Sequence, residues 1–209
     1  MPRSAMPLPL ATVAAPGTYF LANPGYPSDY KRVIFTLPAG WTIGDDLVYK
    51  HLGQPGEVAF SVWSLNNVYA DPCHWQGSAL SPLDIVNHTH DASGALIPGN
   101  RDGGLANQVG RYASALTTVR LGGELALRIE LSVPTQLDLA TCDRGEFRSW
   151  PESDYLRAAP HSAPGQIDVV YMVDVDRRAL VIDASHMSLA SEADLAELEA
   201  ILASMTIER

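Results

Sequence analysis

Lysine is almost missing from this sequence: Lys31 and Lys50 are the only two in 209 residues, and 14 Lys and Arg stand against 24 Asp and Glu for a formal charge of −10. Such a chain repels a phosphate backbone, and its arginines form no phosphate clamp, so nucleic acid is not an expected partner. Long apolar runs are missing too. No window reaches the roughly 18 uninterrupted apolar residues of a spanning helix, so no membrane insertion is expected. The familiar catalytic and cofactor signatures are absent: no G-x-S-x-G elbow, no H-E-x-x-H, no phosphate loop and no dinucleotide fingerprint. No cofactor is implied, and no catalytic residue stands out. Cysteine is scarce, with two in the chain.

What remains is globular. Apolar residues make up 46% and charged residues 18%, with 15 Pro and 16 Gly, a turn-rich composition without the high charge of a disordered chain. A chain of this length can bury roughly 70% of its unfolded surface around one core. The expected organisation is a flexible leader over residues 1–16, with a faint likeness to a signal peptide, and a single α+β domain over 17–209.

Period-two alternation gives the clearest strands. Over 124–133, Leu125, Leu127, Ile129, Leu131 and Val133 share one face, while Glu124, Arg128, Glu130 and Ser132 share the other. Gly122-Gly123 reads as the two-residue turn that joins this strand to one over 116–121. A second hairpin is expected over 166–185 with its turn at 176–178, and earlier strands over 32–37, 47–52 and 58–62. Ser191 with Asp194 resembles a capping box opening a final helix, whose stripe is Leu195, Leu198, Ile201, Leu202 and Met205, with Glu197 and Glu199 outside it. Ser81-Pro82-Leu83-Asp84 reads as another helix start, and residues 105–109 as a short turn. The expected fold is a curved antiparallel sheet packed by the C-terminal helix and one or two short helices. Residues 92–104 read as a loop.

Cys73 and Cys142 permit one pairing, and both sit in loop-like segments just after expected strands. A disulfide leads over a pair of free buried thiols and over a zinc site, which lacks ligand spacing; no metal site is expected. A disulfide implies an oxidising compartment. It would gather Asp71, His74, Trp75, Asp143, Glu146, Arg148 and Trp150 into one neighbourhood that mixes aromatic faces with charged groups, as small-ligand pockets do. The same residues have a structural reading, in which the two tryptophans cover the bond and Arg148 pairs with Asp143 or Glu146. His88 and His90 read as solvated loop or turn residues, and Asn87-His88-Thr89 is a formal glycosylation sequon. Asp168, Asp174, Asp176 and Asp183 read as solvated carboxylates on a wet sheet face, with a hard-cation site as the sharper alternative.

Four segments carry a resemblance: Pro38-Ala39-Gly40-Trp41, Asp71-Pro72-Cys73-His74-Trp75, Glu146-Phe147-Arg148-Ser149-Trp150, and Val181-Ile182-Asp183-Ala184 before the last helix. Together they resemble a group of uncharacterised exported bacterial proteins, and more distantly the PsbP-like fold, over residues 17–207. That resemblance implies binding, assembly or accessory roles and brings no catalytic residues. The leading expectation is an extracytoplasmic, non-enzymatic module for a small ligand or a protein partner, secreted or in the cell envelope. The alternatives are a hydrolase or lyase using His74 with nearby carboxylates, and a structural envelope domain.

Overall fold

The structure, a computed structural model, describes residues 6–7, 12–22, 32–44, 47–65, 67–83, 89–90, 96–97, 104–151, 162–175 and 178–208. Its main strands are β1 (Gly17–Ala22), β2 (Arg32–Leu37), β3 (Thr42–Ile43), β4 (Val48–Lys50), β5 (Val58–Leu65), β6 (Thr117–Leu121), β7 (Glu124–Ser132), β8 (Gln166–Val175) and β9 (Arg178–Met187). Helix α1 (Glu192–Ala203) and a last strand, β10 (Thr206–Glu208), close the described chain. No helix among the described residues is long and apolar enough to cross a membrane.

The large sheet is antiparallel throughout, in the order β7-β8-β9-β5-β4-β3, with β6 and Tyr112–Ala113 on the outer edge of β7 and Thr12–Val13 beyond β3. A smaller sheet pairs β1 with β2 and β2 with β10, and Met6–Pro7 runs parallel to β1. Ala14, also within the expected leader, is buried.

Both faces of the large sheet are covered, because its central strands are apolar on both sides. Phe60, Val173, Leu180 and Ile182 face Phe35, Leu37 and Trp41 together with Leu198, Ile201 and Leu202 of α1. Trp63, Leu127, Ile129, Leu131, Val170, Met172 and Val181 face the other way, against Trp150, Val68, Leu83 and Leu105. Ser191 caps α1 through its Oγ, which accepts from the Asp194 N–H. Glu197 is more than a solvated residue outside the stripe: its Oε2 accepts from Trp41 Nε1 at 2.9 Å and from Lys50 Nζ at 2.6 Å, and Lys50 also reaches Asp194 at 3.0 Å. This cluster ties the helix to β4.

Several expectations need correction. Ser81-Pro82 does not open a helix; Leu80–Pro82 is a strand paired with Asn67–Tyr69, a short pair at whose end a proline needs no ladder N–H. Thr89–His90 is a strand paired with Leu96–Ile97, against the loop or turn expected there. Asn87, His88, Asp84 and the turn residues Asp176 and Arg177 lie outside the described residues. The strand expected over 47–52 stops at Lys50, where His51 takes a left-handed φ of 57°. Asp168 is not on a wet face, since it is buried at 2% exposure. Asp174 and Asp183, which a hard-cation site would need as cross-strand neighbours, do not oppose each other: Asp174 faces Ala179, and Asp183 faces Val170.

Candidate functional site

Two loops meet beyond the edge of the second core. One runs from Ala70 to Ala79 and the other from Leu139 through Arg148, and the sulfurs of Cys73 and Cys142 lie at bonding distance, 2.04 Å, with their Cα atoms 4.5 Å apart. The backbone stitches them further: Asp143 N–H donates to the Cys73 carbonyl at 2.8 Å and Arg148 N–H to the Pro72 carbonyl at 2.9 Å. Phe147, Val133, Leu137 and Leu139 pack around the sulfurs. The tryptophans do not supply that cover.

Short polar side chains set the loop shape. Asp71 Oδ1 accepts from the N–H groups of Cys73 and His74, each at 3.0 Å, while the Asp71 N–H donates to Ser78 Oγ at 2.8 Å. Asp143 Oδ2 accepts from the Gln76 N–H at 2.7 Å, and the Asp143 carbonyl accepts from Trp75 Nε1 at 3.2 Å. The Asp71 bonds make an Asx-type turn in which a side chain replaces a backbone partner, whereas the Asp143 bonds cross from one loop to the other.

Trp75 sits in a cationic setting. The Arg148 guanidinium lies 4.1 Å from its ring centroid and that of Arg144 lies 5.6 Å away. Arg148 is itself held by Glu146, whose Oε2 accepts from Nε at 2.7 Å and from Nη2 at 2.6 Å. Arg144 adopts a left-handed φ of 55°, a conformation few L residues take.

The fold therefore brings together Asp71, His74, Trp75, Asp143, Glu146 and Arg148. Trp150 is elsewhere: it is 1% exposed in the second core, edge-on to Trp63 at 6.0 Å. Of the seven, Asp71, His74 and Asp143 line an open hollow of 460 Å³, and Ala70, Gln76, Gly77, Ser78, Ala79 and Val109 complete it. Ala70, Ala79 and Val109 are the apolar part of its lining, and Val109 remains 60% exposed. Sequence reasoning did not find Val109, which enters from a distant segment whose N–H donates to the Ala70 carbonyl at 2.9 Å. No local pattern could have signalled that approach.

His74 is poorly placed for general-base chemistry. Its side chain is 66% exposed, and its Nδ1 lies 3.9 Å from Asp71 Oδ1, an oxygen already occupied by two backbone N–H groups. A base needs an orienting hydrogen bond, and 3.9 Å is too long for one. Among the described residues no group of three or more His, Cys, Asp or Glu is placed to hold a metal ion.

No family model matches the sequence, and no curated protein matches it. The chain is similar to the solution structure of cyanobacterial PsbP (CyanoP) from Synechocystis sp. PCC 6803, at 12% identity over 99% of each chain, with a TM-score of 0.38. At that level the likeness is one of outline, and what the site can do rests on this chain's own residues.

Proposed function

We propose that this protein is a non-enzymatic, extracytoplasmic binding module, and that the hollow beside Cys73 and Cys142 takes a small cationic ligand, or a side chain of a partner, with a short apolar portion. One observation carries the reading. The hollow pairs apolar lining residues with two carboxylates, Asp71 and Asp143, each of which uses one oxygen on loop N–H groups and leaves the other with no hydrogen bond among the described residues. An apolar surface with a few convergent polar groups is the ordinary chemistry of a ligand pocket. The chain's charge of −10 favours cations over anions at long range. The extracytoplasmic location rests on the cysteine pair, since such bonds persist in oxidising compartments.

The test uses the oxidised full chain in a thermal-shift series of primary alkylamines, each matched to the alcohol of the same length. The amines should raise Tm in a concentration-dependent way and the alcohols should not. Asp71→Asn with Asp143→Asn should weaken amine binding about tenfold or more, the effect of losing charge-assisted hydrogen bonds. Equal shifts from amines and alcohols, or amine binding unchanged in the double variant, would remove the carboxylates from the account.

A further inference from the structure

The hollow adjoins an open strand edge. Leu80–Pro82 pairs with Asn67–Tyr69, and the ladder runs one step further, where the Ala70 N–H donates to the Ala79 carbonyl at 2.9 Å. In an antiparallel ladder, opposed residues alternate between pairs that exchange hydrogen bonds and pairs whose backbone groups point away from each other. Ala70 with Ala79 is of the first kind, so Tyr69 with Leu80 is of the second. The partners of Tyr69 agree: its N–H donates to the Ser149 carbonyl at 3.1 Å, and its own carbonyl accepts from Gln108 Nε2 at 2.9 Å, so both backbone groups are used away from Leu80. The Leu80 N–H and C=O therefore point to the opposite edge, where no described residue hydrogen-bonds them.

The side chains along this edge sort by face. Ala70 and Ala79 line the hollow. Tyr69 and Leu80, one residue along each strand, project from the other face. Leu80 is 52% exposed there, and the Tyr69 ring lies beside Trp75 with centroids 6.1 Å apart. An extended chain laid against the edge would set one side chain beside Leu80 and the next beside Ala79, at the wall of the hollow. An exposed edge of this kind is a template for strand addition, in which main-chain hydrogen bonds give affinity and alternate side chains give specificity.

Taking the hollow as the amine site proposed above, on which this rests, we propose that the occupant is an extended segment of a partner protein in which an apolar residue is followed by lysine. The segment runs antiparallel to Leu80–Pro82, because that direction lets a single residue exchange both hydrogen bonds with Leu80, as suits an edge three residues long that ends in a proline. The apolar residue makes that exchange and packs on the Leu80 side chain. In an antiparallel pair the residue after it stands opposite Ala79, so the lysine enters from the hollow's own face and its ammonium meets the carboxylates of Asp71 and Asp143. The chain's charge of −10 complements a basic segment.

The test titrates the 15N-labelled oxidised full chain with four probes: acetyl-Ser-Leu-Lys-Ser-amide, the same peptide N-methylated at leucine, the reordered acetyl-Ser-Lys-Leu-Ser-amide, and butylamine. The parent peptide should bind about tenfold more tightly than butylamine, as two added hydrogen bonds and an apolar contact contribute. N-methylation removes the N–H that the Leu80 carbonyl would accept, and reordering puts the lysine on the wrong face, so both should bind no better than butylamine. Solvent exchange of the Leu80 amide proton should slow by about tenfold or more under saturating parent peptide and stay unchanged under butylamine. A parent peptide no tighter than butylamine, or one indifferent to methylation or reordering, overturns the strand-addition proposal while the amine site stands. Failure of butylamine itself to bind removes the amine site and takes the lysine pocket with it.

Discussion

Replacing Cys73 and Cys142 together by alanine should cost several kcal/mol, almost all of it through the unfolded chain. The two lie 69 residues apart in sequence. In the chain-entropy treatment, closing a loop of about 70 residues removes about 15 cal/mol/K from the unfolded ensemble, or about 4.4 kcal/mol at 25 °C. The folded state should change little, because the Asp143 to Cys73 and Arg148 to Pro72 backbone bonds and the Asp143 to Gln76 bond join the same loops without the sulfurs. The assay is urea unfolding followed by tryptophan fluorescence, comparing the oxidised protein with the C73A/C142A variant. The variant should show a lower midpoint and a steeper m-value, since its unfolded chain exposes more surface. A loss below about 1 kcal/mol with an unchanged m-value would refute the reasoning and assign the bond no constraining role.

Other perturbations follow from single contacts. Gly122 has a φ of 62°, and a Cβ there would lie 2.9 Å from Ile207 Cγ1, so Gly122→Ala should destabilise by about 2 kcal/mol in the same urea assay. Asp194 is held below the ordinary carboxylate value by its Ser191 hydrogen bond and then by Lys50, and Glu197 by Lys50 first and then Trp41. Depressed values stabilise the fold above about pH 4 and lose that contribution as pH falls through them, so Lys50→Met should lower stability by about 1 to 2 kcal/mol at pH 7 and flatten the acid limb of the pH profile. Asp183 has the opposite sign. Its raised value makes the folded state the tighter proton binder, so its contribution is complete below about pH 4 and is lost as pH rises. Asp183→Asn should therefore reduce the fall in stability that sets in as pH rises above about 4, measured by urea midpoints.

The large sheet was legible because its cues are local. Alternation placed β7, Gly122-Gly123 placed the tight turn before it, and Ser191 with Asp194 placed the start of α1 within a residue. The same locality explains the failures. An aspartate in an alternating strand reads as a wet face, and only the approach of Arg111 from 57 residues away makes Asp168 a core residue. Strand β10 was missed because three residues after a helix carry no period, and its partner β2 lies at the other end of the sequence. In the candidate site, pairing Cys73 with Cys142 gathered Asp71, His74, Trp75, Asp143, Glu146 and Arg148, as expected of six of the seven residues. Trp150 departed because the chain after Arg148 turns inward beside Ser149, which is 2% exposed. The apolar lining of the hollow could not be read, since Ala70, Ala79 and Val109 are ordinary residues until two distant segments converge.

The central claim is that the hollow between the two bonded loops is where this protein meets its ligand. Mapping backbone amide shifts of the 15N-labelled oxidised chain during titration with butylamine tests it most directly. The account predicts shifts concentrated at Asp71, His74, Gln76 to Ala79, Val109 and Asp143, and nearly abolished by Asp71→Asn with Asp143→Asn. Saturable shifts centred on another surface, with those residues unmoved, would contradict it.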